Sequence, residues 1–136
     1  MFVFDRMNEL TTKAVIETVP AEITVIDASD EVVAWNKHEK RLFHRPTSCM
    51  GLNFRACHPK ESLAKVEQIV GEMKAGSRDK ARFWISMIVP PDTRKHMILI
   101  EFFALRDDTG KYLGCLECTQ DIEELRNLTG EKRLLD

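Results

Sequence analysis

Cys57 and His58 stand side by side just ahead of Pro59 in the stretch "GLNFRACHPKES", and no other neighbours in the chain are better suited to chemistry. An imidazole nitrogen can ligate iron, and a thiol at a helix N-terminus beside a histidine can have a lowered pKa and act as a redox sensor. Both residues also have a plain local account, His58-Pro59 as a helix entrance and Cys57 as a small buried thiol. Cys115 and Cys118 form a C-x-x-C, but in an extended strand that offset puts the two side chains on opposite faces, and no second C-x-x-C completes a four-ligand set. His38 and His44 fit neither helical metal-pair spacing, and the basic run "KHEKRLFHR" around them is expected to form a solvated face. Glu101 interrupts the apolar run "MILIEFFAL". Because an unpaired buried carboxylate is costly, it is expected to pair, for instance with Arg82 on the neighbouring strand, in preference to sitting at an exposed edge; facing the cavity as a ligand anchor is a further alternative. Trp35, Trp84 and Phe102 are expected in the core, and Asp27, Asp107 and Asp121 as caps of turns or helix starts. No Ser, His and acid arrangement and no phosphate-cradling glycine loop is present, so enzymatic activity is not expected.

The elements that must position these residues follow from periodicity. Met7, Leu10, Ala14 and Val15, with Val3 before them, recur at helical spacing from Asp5 to Thr18, and Pro20 stops the run. "EITVID" and "EVVAW" read as two short strands around a tight turn, and "NKHEKRLF" as a short helical piece. Between Pro59 and Gly76 the stripe Leu63, Val66, Ile69, Val70 and Met73 predicts an amphipathic helix, with Lys65, Glu67, Glu72 and Lys74 turned to water. Three β-rich runs follow, "ARFWISMIV", "KHMILIEFFAL" and "YLGCLECTQ", separated by "PPDTR" and "RDDTGK". The closing "DIEELRNLTGEKRLLD" reads as helical through Ile122, Leu125 and Leu128, with Gly130 as a break. Strands grouped around a block of helices argue for an α+β fold with an antiparallel sheet. The second late strand is apolar on both sides, so both sheet faces need cover. The middle helices can cover one, leaving the other to the leading helix or to a second subunit.

The chain has 136 residues, 43% of them apolar and 31% charged, with a formal net charge of -2. That suits one globular domain with its own core and gives no basic footprint for nucleic acid. No apolar run approaches the roughly 18 residues of a membrane span. The start "MFVFDRMNEL" has neither a basic leader nor a small-residue cleavage site, so a cytoplasmic location without membrane association is expected. In that setting the four cysteines are expected to remain thiols.

Taken in order, "ITVIDASDEVVAWNKHEKRLF", "GLNFRACHPKES" and "LRDDTGKYLGCLECTQDIEEL" resemble a Per-Arnt-Sim (PAS) domain: its opening strand pair, the His-Pro entrance to its long helix, and its last hairpin with a closing Asp-Ile. Phe83–Ile85, "ALRD" and "GEKRLLD" further resemble C-terminal PAS modules of bacterial and archaeal hemerythrin-associated proteins. The resemblance implies a five-stranded antiparallel sheet with helices on one face. It divides the chain into an N-terminal flanking helix (1–18), the PAS domain (19–122) and a C-terminal helix or output segment (123–136). It also implies a sensory module that holds a small ligand between long helix and sheet and forms a homodimer through its flanking helices, with a signalling protein as a further partner. Phe54, His58, Val66, Ile69, Trp84, Ile100 and Phe102 are the positions expected to line that ligand site. Two alternatives stand beside this reading: a heme-based gas or redox sensor, and a ligand-free interaction domain. For heme, the helix stripe holds no histidine, which leaves His58, or less well His44, as the axial ligand. Flavin comes second, because Gly51, Leu52, Asn53, Phe54 and Arg55 match a photosensor motif in which Phe54 replaces the adduct-forming cysteine.

Overall fold

The computed structural model describes residues 6–135. Helix α1 (Glu9–Thr18) begins where Asn8 Oδ1 accepts the Thr11 amide at 2.8 Å, an N-cap that satisfies one of the free donors of the first turn. It ends at Val19, just before Pro20. Val3 and Asp5, read as part of this helix, lie outside the described residues. Strands β1 (Glu22–Asp27) and β2 (Val32–Trp35) form a hairpin whose turn is organised by Asp27, whose carboxylate accepts the Ser29 and Glu31 amides. Helix α2 (Lys60–Lys74) follows three short 3₁₀ turns, at His38–Lys40, Thr47–Cys49 and Phe54–Ala56. Pro59 serves as its N-cap rather than its first helical residue. The longer strands β3 (Lys80–Ile88), β4 (Lys95–Arg106) and β5 (Tyr112–Asp121) complete the sheet.

All five strands form one antiparallel sheet in the order β2-β1-β5-β4-β3, so the first hairpin docks on the last strand. Alternation gives the sheet an inner face with Glu22, Thr24, Ile26, Ile98, Ile100, Phe102, Cys115, Glu117 and Thr119, and an outer face with Val25, Trp84, Leu99, Glu101, Phe103 and Leu116. Helix α2 covers the inner face with Val66, Ile69, Val70 and Met73, all buried, and Met73 is 0% exposed. Each such side chain contributes about 1.5–3 kcal/mol relative to exposure. These residues and the apolar inner-face side chains form one cluster with Val32 and Phe54.

The α+β architecture, the five antiparallel strands and the helix-covered inner face are those expected. One element differs, and of the two covers expected for the outer face one is not observed. Among its described residues the C-terminal segment contains a 3₁₀ turn at Leu125–Asn127 instead of a helix. Its periodic Leu125 and Leu128 are exposed and Gly130 takes a left-handed φ of 62°, so no face is buried to offset the cost of nucleating a short helix. The leading helix does form, but it does not cover the outer face: none of its residues is buried, and Leu10 is 77% exposed. The body holds α1 through Asn36, a side chain 0% exposed, whose Nδ2 donates to Ile16 O and Ala21 O while its Oδ1 accepts the Ile23 amide. Lys37 adds two bonds, to the Glu17 carboxylate and the Glu17 carbonyl.

Candidate functional site

The inner face is apolar under α2 but polar where β1 meets β5. Thr24 lies opposite Glu117, and Glu117 opposite Phe102, so one rung across three strands reads Thr24, Glu117, Phe102. The adjoining rung holds Ile26 opposite Cys115. Over these rungs lies a cavity of about 30 Å³, roofed by Val66 and Val70 of α2 and by Phe54, Cys57 and His58 of the preceding loop, with Val32 and Arg45 completing its wall. That volume suits one or two water-sized groups.

Buried carboxylates on a sheet face demand counter-charges, and the segment after β2 supplies them. Arg41 pairs with Glu22 at 3.5 Å, the two side chains being 2% and 4% exposed. Arg41 also donates to Ile23 O, Asn36 O and Thr24 Oγ1, while the Glu22 carboxylate accepts the Leu42 and Phe43 amides. Arg45 donates to Thr24 Oγ1 at 2.7 Å and reaches Glu117 at 3.4 Å. Burial pushes the Glu117 carboxyl above its ordinary pKa, and Arg45 and Arg41 only partly offset this. The run "KHEKRLFHR" is therefore not the solvated face expected of it. Its two arginines turn inward and neutralise the acids of β1 and β5.

His58 is half-buried, with Nε2 2.8 Å from Ser62 Oγ one helical turn on. Burial, and then the nearby Arg45 charge, lower its pKa, so the ring is held neutral. A heme does not fit these residues as arranged. The cavity is far smaller than the roughly 300–1,000 Å³ of pockets that enclose drug-sized ligands, and one ring nitrogen of His58 is engaged by Ser62. Flavin meets the same limit of volume. His44 is exposed, its ring 5.7 Å from that of His38, and no group of three or more metal-binding side chains occurs among the described residues.

Of the positions expected at the site, Phe54, His58, Val66 and Phe102 line the cavity. Ile69 and Ile100 are buried in the core beside it without lining it. Trp84 is neither core nor cavity: it lies on the outer face and is 60% exposed, because strand parity places it with Arg82. Glu101 shares that outer face, where Oε2 accepts bonds from Arg82 Nε and Nη2 at 2.9 and 2.8 Å, the expected ion pair. The residues missed were Thr24, Arg45 and Glu117. A signal was present in β1, where Glu22 and Thr24 share parity with Ile26, although the more apolar parity of Ile23 and Val25 suggests the opposite face inward. The expectation of four thiols is corrected as well: Cys49 and Cys57 form a disulfide with their Cα atoms 6.0 Å apart, while Cys115 and Cys118 are free. Asp107 and Asp121 cap as expected, accepting the Thr109 and Lys111 amides and the Glu123 amide respectively.

A family model described as PAS domain matches residues 12–123, and the chain belongs to the PAS family, a family of sensory and signalling modules. A solved structure described as a C-terminal domain from Streptococcus mutans is similar at 26% identity, with a TM-score of 0.80 over 90% of this chain and 91% of that one. The PAS domain of a protein from Colwellia psychrerythraea is similar in fold at 17% identity, with a TM-score of 0.58 over 86% and 99% of the two chains. The PAS domain of BvgS from Bordetella pertussis shares the fold at 14% identity, with a TM-score of 0.54 and 86% of each chain covered. No curated protein sequence matches the chain significantly. No helix among the described residues is long and apolar enough to cross a membrane.

Proposed function

We propose that the chain is a signalling module that works as a homodimer, its α1 helices and outer sheet faces forming the contact between copies. One observation carries this reading: α1 is a helix of ten residues that buries none of them. An isolated helix shorter than about 12–15 residues is marginal in water, and packing an apolar face is what stabilises it. Leu10, Val15 and Ile16 are exposed and Trp84 stands on the uncovered outer face, so a second copy offers both surfaces what they lack. Light scattering across a micromolar dilution series tests this. The expected result is a dimer that Leu10→Lys with Val15→Lys converts to a monomer with unchanged sheet content; a wild-type monomer throughout the series overturns it.

A second reading rests on the polar rung of the cavity. Arg45, Glu117 and Thr24 face Phe54, Val66 and Val70, an arrangement suited to a small polar molecule with one apolar end. Anything larger than a few atoms requires the loop that carries Phe54, Cys57 and His58 to move. A panel of small polar compounds should raise the melting temperature of the wild type and not of Arg45→Met if this reading holds.

A further inference from the structure

We propose that Cys49 and Cys57 are a reversible dithiol–disulfide couple, a redox-modification site that reacts with small or protein thiols and disulfides, and that its state sets the position of the cavity wall carrying Cys57 and His58. Four observations support the couple, and none depends on whether the cavity takes a ligand.

The two cysteines face each other across a loop, bonded, with Cα atoms 6.0 Å apart, inside the range that a disulfide spans without moving the backbone. The fold does not rest on the bond. The middle of the loop is held to the first hairpin by backbone hydrogen bonds: Gly51 N to Val32 O, Val32 N to Leu52 O, and Phe54 N to Asp30 O. Phe54 itself belongs to the main core. Cleaving the bond therefore removes the covalent tie between the two ends of the loop, leaving each on local backbone bonds such as Cys49 N to Pro46 O and Cys57 N to Phe54 O, while its centre stays in place.

The two residues differ in exposure. Cys49 is 8% exposed, whereas Cys57 is only half-buried and borders the cavity beside His58. Attack by an incoming thiolate is therefore assigned to Cys57, the more exposed of the two. The remaining thiols are unsuited to exchange: Cys115 is buried at the centre of the sheet, and burial pushes its pKa up to about 12, leaving almost no thiolate. Cys118 lies on the opposite face of β5, and its pKa is also raised by burial.

The chemistry balances with a dithiol as reductant. Its first thiolate attacks Cys57 Sγ, forming a mixed disulfide as the Cys49–Cys57 bond breaks, and the departing Cys49 thiolate takes a proton from water. The second reductant thiol, deprotonated, attacks its partner sulfur in the mixed disulfide and expels the Cys57 thiolate, which is protonated in turn. Two electrons and two protons pass to the protein and the reductant becomes a disulfide; a disulfide such as oxidised glutathione drives the reverse. Once reduced, Cys57 no longer ties the entrance of α2 to the Thr47–Cys49 turn, and His58, its neighbour in sequence, is then positioned by α2 through Ser62.

The test uses the native wild-type protein. It is equilibrated in glutathione buffers of graded redox ratio, and in a dithiol, then trapped by alkylation and read by mass spectrometry, with the His58 ring followed by NMR in parallel. The expected result is a two-electron transition confined to Cys49 and Cys57, accompanied by a shift of the His58 Cε1–H resonance. Cys49→Ser and Cys57→Ser should each give the reduced-state resonance in every buffer. A pair that stays as thiols in oxidised glutathione, or a bond that resists the dithiol until the protein unfolds, overturns the couple. Identical His58 resonances in both states overturn its control of the wall.

Discussion

His96 donates Nδ1–H to Asp121 Oδ2 at 2.6 Å, tying the second residue of β4 to the last residue of β5. Its other nitrogen lies 2.8 Å from Asp92 Oδ2 in the β3–β4 turn. A neutral imidazole has a single N–H, so two carboxylate acceptors call for the cation. These two bonds, from Asp92 and then Asp121, raise the pKa of His96, and the His96 bond in turn holds the Asp92 carboxyl well below the usual carboxylate range.

The sign of the resulting pH dependence follows. A histidine whose folded pKa is raised contributes stability that is complete below its unfolded value, about 6.5, and is lost as pH rises through the folded value. Urea unfolding at a series of pH values should show this loss in the wild type, and His96→Gln should remove it. His58 runs the other way. Its folded pKa is lowered, so the stability tied to it falls as pH drops below about 6.5 toward the folded value. NMR titration of the two rings should place His96 above and His58 below the unfolded value; coincident titrations would contradict both assignments.

Arg41 provides a sharper test of the buried network. Removing one partner of a buried ion pair typically costs about 3–5 kcal/mol, because the other charge is left without compensation. Arg41→Met should therefore lower the free energy of unfolding by roughly that amount in urea titrations. Arg82→Met also leaves a carboxylate, Glu101 at 11% exposure, without its partner, but should cost less than Arg41→Met because the Arg82 side is half exposed and lets water reach it.

Gly114 sits in β5 with φ of 154°, opposite Asp27 of β1, and a Cβ there would run into the Ile26 carbonyl oxygen. Gly114→Ala should force β1 and β5 apart and cost at least about 2 kcal/mol, read as a fall in the melting temperature. Gly71→Ala, on the exposed side of α2 with no heavy atom near the new methyl, should instead be neutral or stabilising by up to about 1 kcal/mol.

Met73 and Trp84 separate the core from the outer face. Met73→Ala should cost about 2–5 kcal/mol by leaving a cavity under α2. Trp84→Ala should change the unfolding of the dissociated chain by no more than about 0.5 kcal/mol while weakening association of copies.

These contrasts also explain what could be read from the sequence. The α2 stripe and the strands β3 to β5 were legible because period and local turn chemistry agree, and the Arg82–Glu101 pair because it lies directly across one ladder. The inward turn of Arg41 and Arg45 was not legible. Their acid partners lie about twenty residues back and on the far strand β5, and nothing in "KRLFHR" has a period that fixes a face. The Cys49–Cys57 pairing depends on two consecutive 3₁₀ turns, which carry no hydrophobic repeat. The C-terminal segment misled in the other direction, since a repeat of Ile122, Leu125 and Leu128 specifies a helix only where a surface exists to receive it.

Asn36 gives the exposed leading helix a mechanical meaning. One amide side chain grips a carbonyl in α1, a carbonyl in the linker and an amide in β1, and the two Lys37 bonds lie beside it, so the helix is levered on the sheet at its C-terminal end. A small tilt of the first hairpin, whatever its cause, becomes a larger sweep at the far end of α1, and Asn36 is the joint at which that movement starts.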